Sequence, residues 1–190
     1  MDNDYACGNG VAAIGSITRD NPYNRKLAGK SGCIELARDV VRKHMDDTDV
    51  CRNGLTAISN ITCGNPDNQK LVGESGCIEL ARDAIRKHMD NYDVCERGLA
   101  AIGSITRDNP YNRKLAGESG CIELARDVVR KHMDDTDVCE FGLDTISNII
   151  SDNPDNQKFA GESGCIELAR DAIKKHMDNY DVCEDGLDVI

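Results

Sequence analysis

Along CIELARDVVRKHM (residues 33–45), Ile34, Ala37, Val40, Val41 and Met45 recur three and four apart with charged residues between them. That is the spacing of one apolar face of an α-helix. Asp39 and Lys43, four apart on the other face, are placed to pair. His44 falls in the last turn, where the helix dipole favours a cation. Upstream, in DNPYNRKLAGKSG, Asn21 suits an N-cap and Pro22 the first helical position. Leu27 is expected to face inward, and Gly29 and Gly32 to stop this short helix. Downstream, DDTD (residues 46–49) is expected to cap a third stretch, VCRNGLTAISNIT, with Leu55, Ile58 and Ile61 as its inward stripe. No segment alternates with period two, so no strand is predicted and the chain reads as all-α.

The pattern then returns every 44 residues. Cys7, Cys51, Cys95, Cys139 and Cys183 share one repeat position, and Cys33, Cys77, Cys121 and Cys165 another. His44, His88, His132 and His176, and Pro22, Pro66, Pro110 and Pro154, keep the same step. Self-similarity at such a period marks a solenoid. The units fall at about 7–50, 51–94, 95–138 and 139–182, with a partial unit at 183–190, in a single array spanning 1–190. Residues 7–94 and 95–182 differ at 14 positions, so an 88-residue pair was duplicated, recently in evolution or by design.

The length of the unit suits HEAT or armadillo repeats rather than the shorter tetratricopeptide and ankyrin units. In residues 65–106 a short first helix opens at Asn-Pro and a Glu-Ser-Gly break precedes an apolar second helix. The third helix carries a G-x-x-A-I-x-[SN]-I core. This pattern, over essentially the whole chain, resembles the armadillo repeat. The resemblance implies a right-handed α-α superhelix of three-helix repeats whose third helices line a concave groove. It also implies that Asn60 and Asn148 hold the backbone of an extended peptide, for which an amide offers both donor and acceptor. Importin-type members carry a Trp four residues before that Asn. Here those places hold Ala12, Thr56, Ala100 and Asp144, so their grip on a nuclear localisation signal is not implied.

Comparing copies within the chain separates scaffold from surface. CIELARD is identical in all four copies, whereas most changes fall in or just after the third helix. They read Gly8/Arg52/Glu96/Glu140, Asn9/Asn53/Arg97/Phe141, Ala12/Thr56/Ala100/Asp144, Ser16/Asn60/Ser104/Asn148 and Arg19/Cys63/Arg107/Ser151. Stepping by three or four, these places share one helix face. The predicted peptide-binding residues are Asn60, Asn148, Ser16, Ser104, Thr56, Asp144, Arg19, Arg107, Glu96, Arg97, Glu140 and Phe141. The shorter serines should reach a ligand less, or through water. The face is graded in charge, with Arg19 and Arg52 early and Glu140, Asp144, Glu184, Asp185 and Asp188 late. A basic segment is expected at the late end, with Phe141 supplying apolar contact.

Composition narrows the rest. With 39% hydrophobic residues and no Trp, the core must be built from Ile, Leu, Val, Ala and Cys. A net charge of -11 argues against a nucleic-acid partner, whose phosphates need a basic surface. No apolar run approaches a membrane span, and MDNDYACGNG is too polar for a secretory signal. A cytoplasmic or nuclear, reducing setting follows.

The ten cysteines and four histidines contain no C-x-x-C and no His-x-x-x-His. Catalytic constellations are single events, so recurrence at fixed repeat positions points to packing. A solenoid's stacked units, roughly 10 Å apart, exceed the reach of a disulfide, about 7 Å. Cys63, outside both ladders, is expected to be an exposed thiol. DDTD and DNYD lack the calcium-loop spacing and read as helix caps. Asn60-Ile-Thr62 is a formal glycosylation sequon placed in a helix. The recurring Gly10, Gly54, Gly98 and Gly142 suggest close helix approach. No metal, cofactor or enzymatic chemistry is predicted. Two readings remain: a module binding an extended peptide or partner protein in its groove, and a structural array or engineered fragment associating end to end through uncapped termini.

Overall fold

Asn-Pro pairs set the frame of the molecule. In each, the Asn backbone is extended, its side chain accepts from the amide three residues on at 3.0–3.1 Å, and Pro takes the first helical position. The first helices that follow are α2 (Pro22–Lys30), α5 (Pro66–Glu74), α8 (Pro110–Glu118) and α11 (Pro154–Glu162). Gly32, Gly76, Gly120 and Gly164, with φ of 74 to 82°, turn the chain into the second helices. A side chain there would be strained, which accounts for the fixed Ser-Gly. The second helices are α3 (Cys33–Lys43), α6 (Cys77–Lys87), α9 (Cys121–Lys131) and α12 (Cys165–Lys175). Asp47, Asn91, Asp135 and Asn179 then cap the third helices, accepting from Val50, Val94, Val138 and Val182 amides at 2.9–3.0 Å. These are α4 (Thr48–Thr62), α7 (Tyr92–Thr106), α10 (Thr136–Ile150) and α13 (Tyr180–Val189), preceded by α1 (Asp4–Thr18). This computed structural model describes residues 4–190; residues 1–3, part of the opening read above as too polar for a signal, lie outside the described residues. Among the described residues there is no strand and no helix long and apolar enough to cross a membrane.

The predicted stripe Leu55, Ile58, Ile61 and its counterparts Leu99, Ile102, Ile105 and Leu143, Ile146, Ile149 are fully buried. They share one core with Ile78, Ala81 and Ile85 of α6 and the equivalent residues of α9. Third helices lie against the next third helix in the most extensive packing of the molecule. Within a unit, the third helix approaches the second closely at glycine, except at Gly10 of α1, where the expected close approach is absent and the space is open. A Cβ on Gly54, Gly98 or Gly142 would stand 2.1, 2.4 or 2.1 Å from Val41, Ile85 or Val129. The cysteine ladders pack as small apolar groups. Burial pushes the Cys95 and Cys121 thiols up to about 12 and those of Cys51, Cys139 and Cys165 to about 11, so they stay protonated. All ten cysteines are free, and Cys63 is exposed as expected.

Three local expectations are corrected. Leu27 is 51% exposed rather than inward, because among the described residues no first helix lies before α2 to cover it, whereas Leu71 and Leu115 pack on the core. Gly29 does not stop α2, which runs on to Lys30; it is buried inside the helix. Asp39 takes Arg38 and Arg42 at 2.7 and 3.9 Å rather than the expected Lys43.

Gly29 is explained by the next unit. The Asn68 amide reaches back and donates to the Arg25 carbonyl of α2 and to the Ile61 carbonyl of α4, both at 2.8 Å. Asn112 repeats this on Gln69 and Ile105 at 2.8 and 2.9 Å, and Asn156 on Arg113 and Ile149 at 3.0 Å each. Each buried Asn lies over the glycine of the preceding first helix. Parallel ladders run through other layers. His88, His132 and His176 place Nε2 2.7–2.8 Å from the carbonyls of Met45, Met89 and Met133 in the preceding unit. Arg38, Arg82 and Arg126 donate to the Ser75, Ser119 and Ser163 carbonyls of the following unit. Lys87, Lys131 and Lys175 pair with Asp46, Asp90 and Asp134. Side chain-to-backbone bonds of this sort contribute about 1 kcal/mol each, and their repetition fixes one register between neighbours.

Candidate functional site

Stacking third helix on third helix gives one face to which every unit contributes the same helical positions. The predicted residues resolve on it into three groups. In the first, Arg19 follows α1, Thr56 and Asn60 stand on α4, and Arg97 on α7; they line one open hollow of about 610 Å³. Asp20, Arg52 and Asn53 complete its wall. Arg52 and Asn53 vary among the copies, yet only their place beside α1 and α7 makes them wall residues. In the second group Arg107 holds Asp144 with two bonds of 2.9 and 3.0 Å, and the Asn148 amide donates to the Asp144 backbone and carboxylate oxygens at 2.8 Å. The third is the late acidic end around Glu140 and Asp185. Ser16 lies apart from the hollow with its hydroxyl donated to the Ala12 carbonyl, and Phe141 packs half-buried on the core.

The alternation of Ser and Asn at positions 16, 60, 104 and 148 has a packing partner. The Asn60 amide crosses to the Gly15 carbonyl of the preceding third helix at 3.1 Å. Ser104 instead meets Ser59, hydroxyl to hydroxyl, at 3.0 Å. Asn148 lies over Gly103, where a Cβ would stand 3.1 Å from the Asp144 carboxylate and 3.9 Å from the Asn148 amide. Where one helix carries Gly the next carries Asn, and where it carries Ser the next carries Ser. This pairing was hidden in the sequence because its members are 45 residues apart. The hydroxyl of Thr56 is likewise used locally, on the Arg52 carbonyl at 2.8 Å.

Electrostatics divide the face. Glu96 is buried beside Arg97, their oxygen and nitrogen 3.0 Å apart, and burial holds its carboxyl above the usual range despite the arginine. Burial, and then Asp181 and Asp137, raise Glu140 likewise. Burial pushes Asp185 up to about 7, helped by Asp144, Glu140, Asp188 and Glu184. Between about pH 4 and 7 the folded chain therefore keeps a proton that the unfolded chain has released. Stability falls as pH rises across that window and levels off above it. Asp185→Asn should accordingly raise the melting temperature by several degrees near pH 8 and leave it almost unchanged near pH 4, as scanning calorimetry at the two pH values will show. Among the described residues no group of side chains is arranged to hold a metal ion.

No family model and no curated protein matches the chain. Solved structures do. An engineered protein superposes over 100% of this chain and 75% of its own with a TM-score of 0.88 at 22% identity. A second engineered protein does so over 100% and 73%, with a TM-score of 0.89 at 15% identity. A designed armadillo repeat protein matches 96% of this chain and 73% of its own, with a TM-score of 0.83 at 21% identity.

Proposed function

Taking the armadillo-type solenoid as the frame, we propose that this repeat scaffold binds an extended peptide, or an extended segment of a partner protein, along the face of its third helices. The observation that supports this most is the open hollow to which Arg19, Asn60 and Arg97 come from three successive third-helix positions. An extended chain rises about 3.3 Å per residue, so only a segment of several residues reaches all three groups of side chains. Asn60 and Asn148 keep acceptor oxygens beside their internal bonds, and a carboxylate-rich end at Asp144 and Asp185 suits a basic residue. The test is an array of random peptides probed with the intact chain. A subset should bind, and Asn60→Ala with Asn148→Ala should weaken the bound peptides by about tenfold, the worth of one or two backbone bonds. Unchanged affinity in that double variant would defeat the groove.

A second reading, end-to-end association of copies, is favoured by what the end units leave uncovered. Ile17 is 62% and Leu36 51% exposed, whereas Ile61, Ile105, Leu80 and Leu124 at the same repeat positions are buried. In-register stacking would place α1 of one copy where α13 of the other lies, since residues 4–14 and 180–190 are equivalent under the 44-residue step. One of these helices must therefore be displaced, and light scattering against concentration separates a monomer from such an assembly.

A further inference from the structure

We propose that the hollow between α1, α4 and α7 is a subsite for an anionic side chain of the bound peptide, a carboxylate or a phosphate. The inference rests on the peptide-binding reading above and names what one position of the peptide must carry.

Three guanidinium groups converge there from separate units: Arg19 just after α1, Arg52 on α4 and Arg97 on α7. They are not equally engaged. Arg19 is exposed and has no ion-pair or side-chain hydrogen-bond partner among the described residues. Arg52 gives one terminal nitrogen to Asp49 at 3.0 Å, but its Nε is buried and bonded to nothing. A buried guanidinium donor without an acceptor costs about 1–3 kcal/mol, so an acceptor brought by a ligand is favoured there. Arg97 gives one nitrogen to Glu96, which is buried behind it rather than in the hollow.

The opposing charges are few. Asp20 is the one carboxylate in the wall; it is almost wholly exposed and 3.9 Å from Arg25. Thr56 and Asn60 are neutral, and Thr56 has spent its proton on its own helix. Asp49 and Glu96 thus each hold one nitrogen from outside the wall, and the remaining guanidinium donors face an open space of about 610 Å³ whose wall has a single carboxylate. The planar fork of arginine matches the paired oxygens of a carboxylate or phosphate, which is the geometry that gives charge-assisted bonds their strength. The corresponding place one pair of units later is occupied internally, because Asp144 replaces Thr56 and takes Arg107 with both oxygens. That internal pair shows what an acidic group does when offered to an arginine on this face.

The experiment uses the peptide array with the intact chain, its peptides containing Asp, Glu, phosphoserine, Gln and Lys at every position. The bound peptides should share one acidic position. In fluorescence anisotropy, Gln in place of Glu or phosphoserine there should weaken binding about tenfold, and Lys further, with the loss shrinking as salt rises. Arg19→Glu, at an exposed and unpartnered site that leaves folding intact, should abolish the acidic preference while peptides still bind through the remaining groove. Arg97→Ala should reduce it. Preference for Glu alone assigns the subsite to carboxylates, and for phosphoserine alone to phosphates. Peptides that bind with no acidic position, or whose acidic preference survives Arg19→Glu, overturn the anion subsite and leave the groove standing. No bound peptide at all overturns both.

Discussion

Replacing Gly73 by Ala is expected to destabilise the chain by about 1–3 kcal/mol, and replacing Asn112 by Ala by about 2–4, yet the two losses should not add. A Cβ on Gly73 would stand 2.0 Å from the Asn112 side-chain oxygen, so the Asn112 side chain and its two bonds, or the helices themselves, must shift. Removing the Asn112 amide takes its donor from the Gln69 and Ile105 carbonyls in a buried layer, and each such lost bond costs about 1–3 kcal/mol. In the double variant the Asn112 oxygen is absent, so the alanine at 73 meets space instead of a clash. Alanine in a helix is also better than glycine by about 1 kcal/mol. The double variant should therefore be no less stable than Asn112→Ala alone. Urea unfolding of the four proteins measures the coupling, and simple additivity would mean that the asparagine ladder is not what requires glycine.

The second large effect compares one residue type at one repeat position. Ile105 and Ile17 occupy equivalent places, but Ile105 is fully buried and Ile17 is 62% exposed. Ile105→Ala should cost about 2–5 kcal/mol by leaving a cavity among neighbours that cannot all collapse. Ile17→Ala should cost under about 1 kcal/mol, since most of its surface is already in water. Equal losses would show that burial comes from within each unit rather than from the unit stacked before it. The comparison holds sequence context nearly constant, because residues 12–29 and 100–117 are identical.

How much of this was legible in the sequence follows from the range of each interaction. Helix caps are local: Asn21, Asp47 and their counterparts sit three residues from the amides they accept, so type and spacing reveal them. The stripe Leu55, Ile58, Ile61 is legible for the same reason. Ladders between units are not local. Asn68 reads as one more polar residue of a short helix, and only the fold brings it 2.8 Å from the Arg25 carbonyl, 43 residues away. One signal was available, the recurrence of Gly29, Gly73, Gly117 and Gly161 inside a helix beside the equally regular asparagines. Leu27 shares its repeat position with Leu71 and Leu115 but not their surroundings, which the local pattern does not carry. On the third-helix face the sequence separates varying positions from fixed ones. It does not reveal which of them meet, so Arg52 and Asn53 join the hollow while Ser16 stands apart.

The proposed ligand binding uses the third-helix face and no other. Amide chemical shifts recorded while a peptide selected on the array is titrated into the intact chain test it most directly. Shifts should concentrate at Thr56, Asn60, Arg97, Asp144 and Asn148, on α4, α7 and α10, and leave the exposed side of the second helices unmoved, including Arg42 and Arg86. Shifts centred on those second helices, with the third-helix residues unchanged, would contradict it.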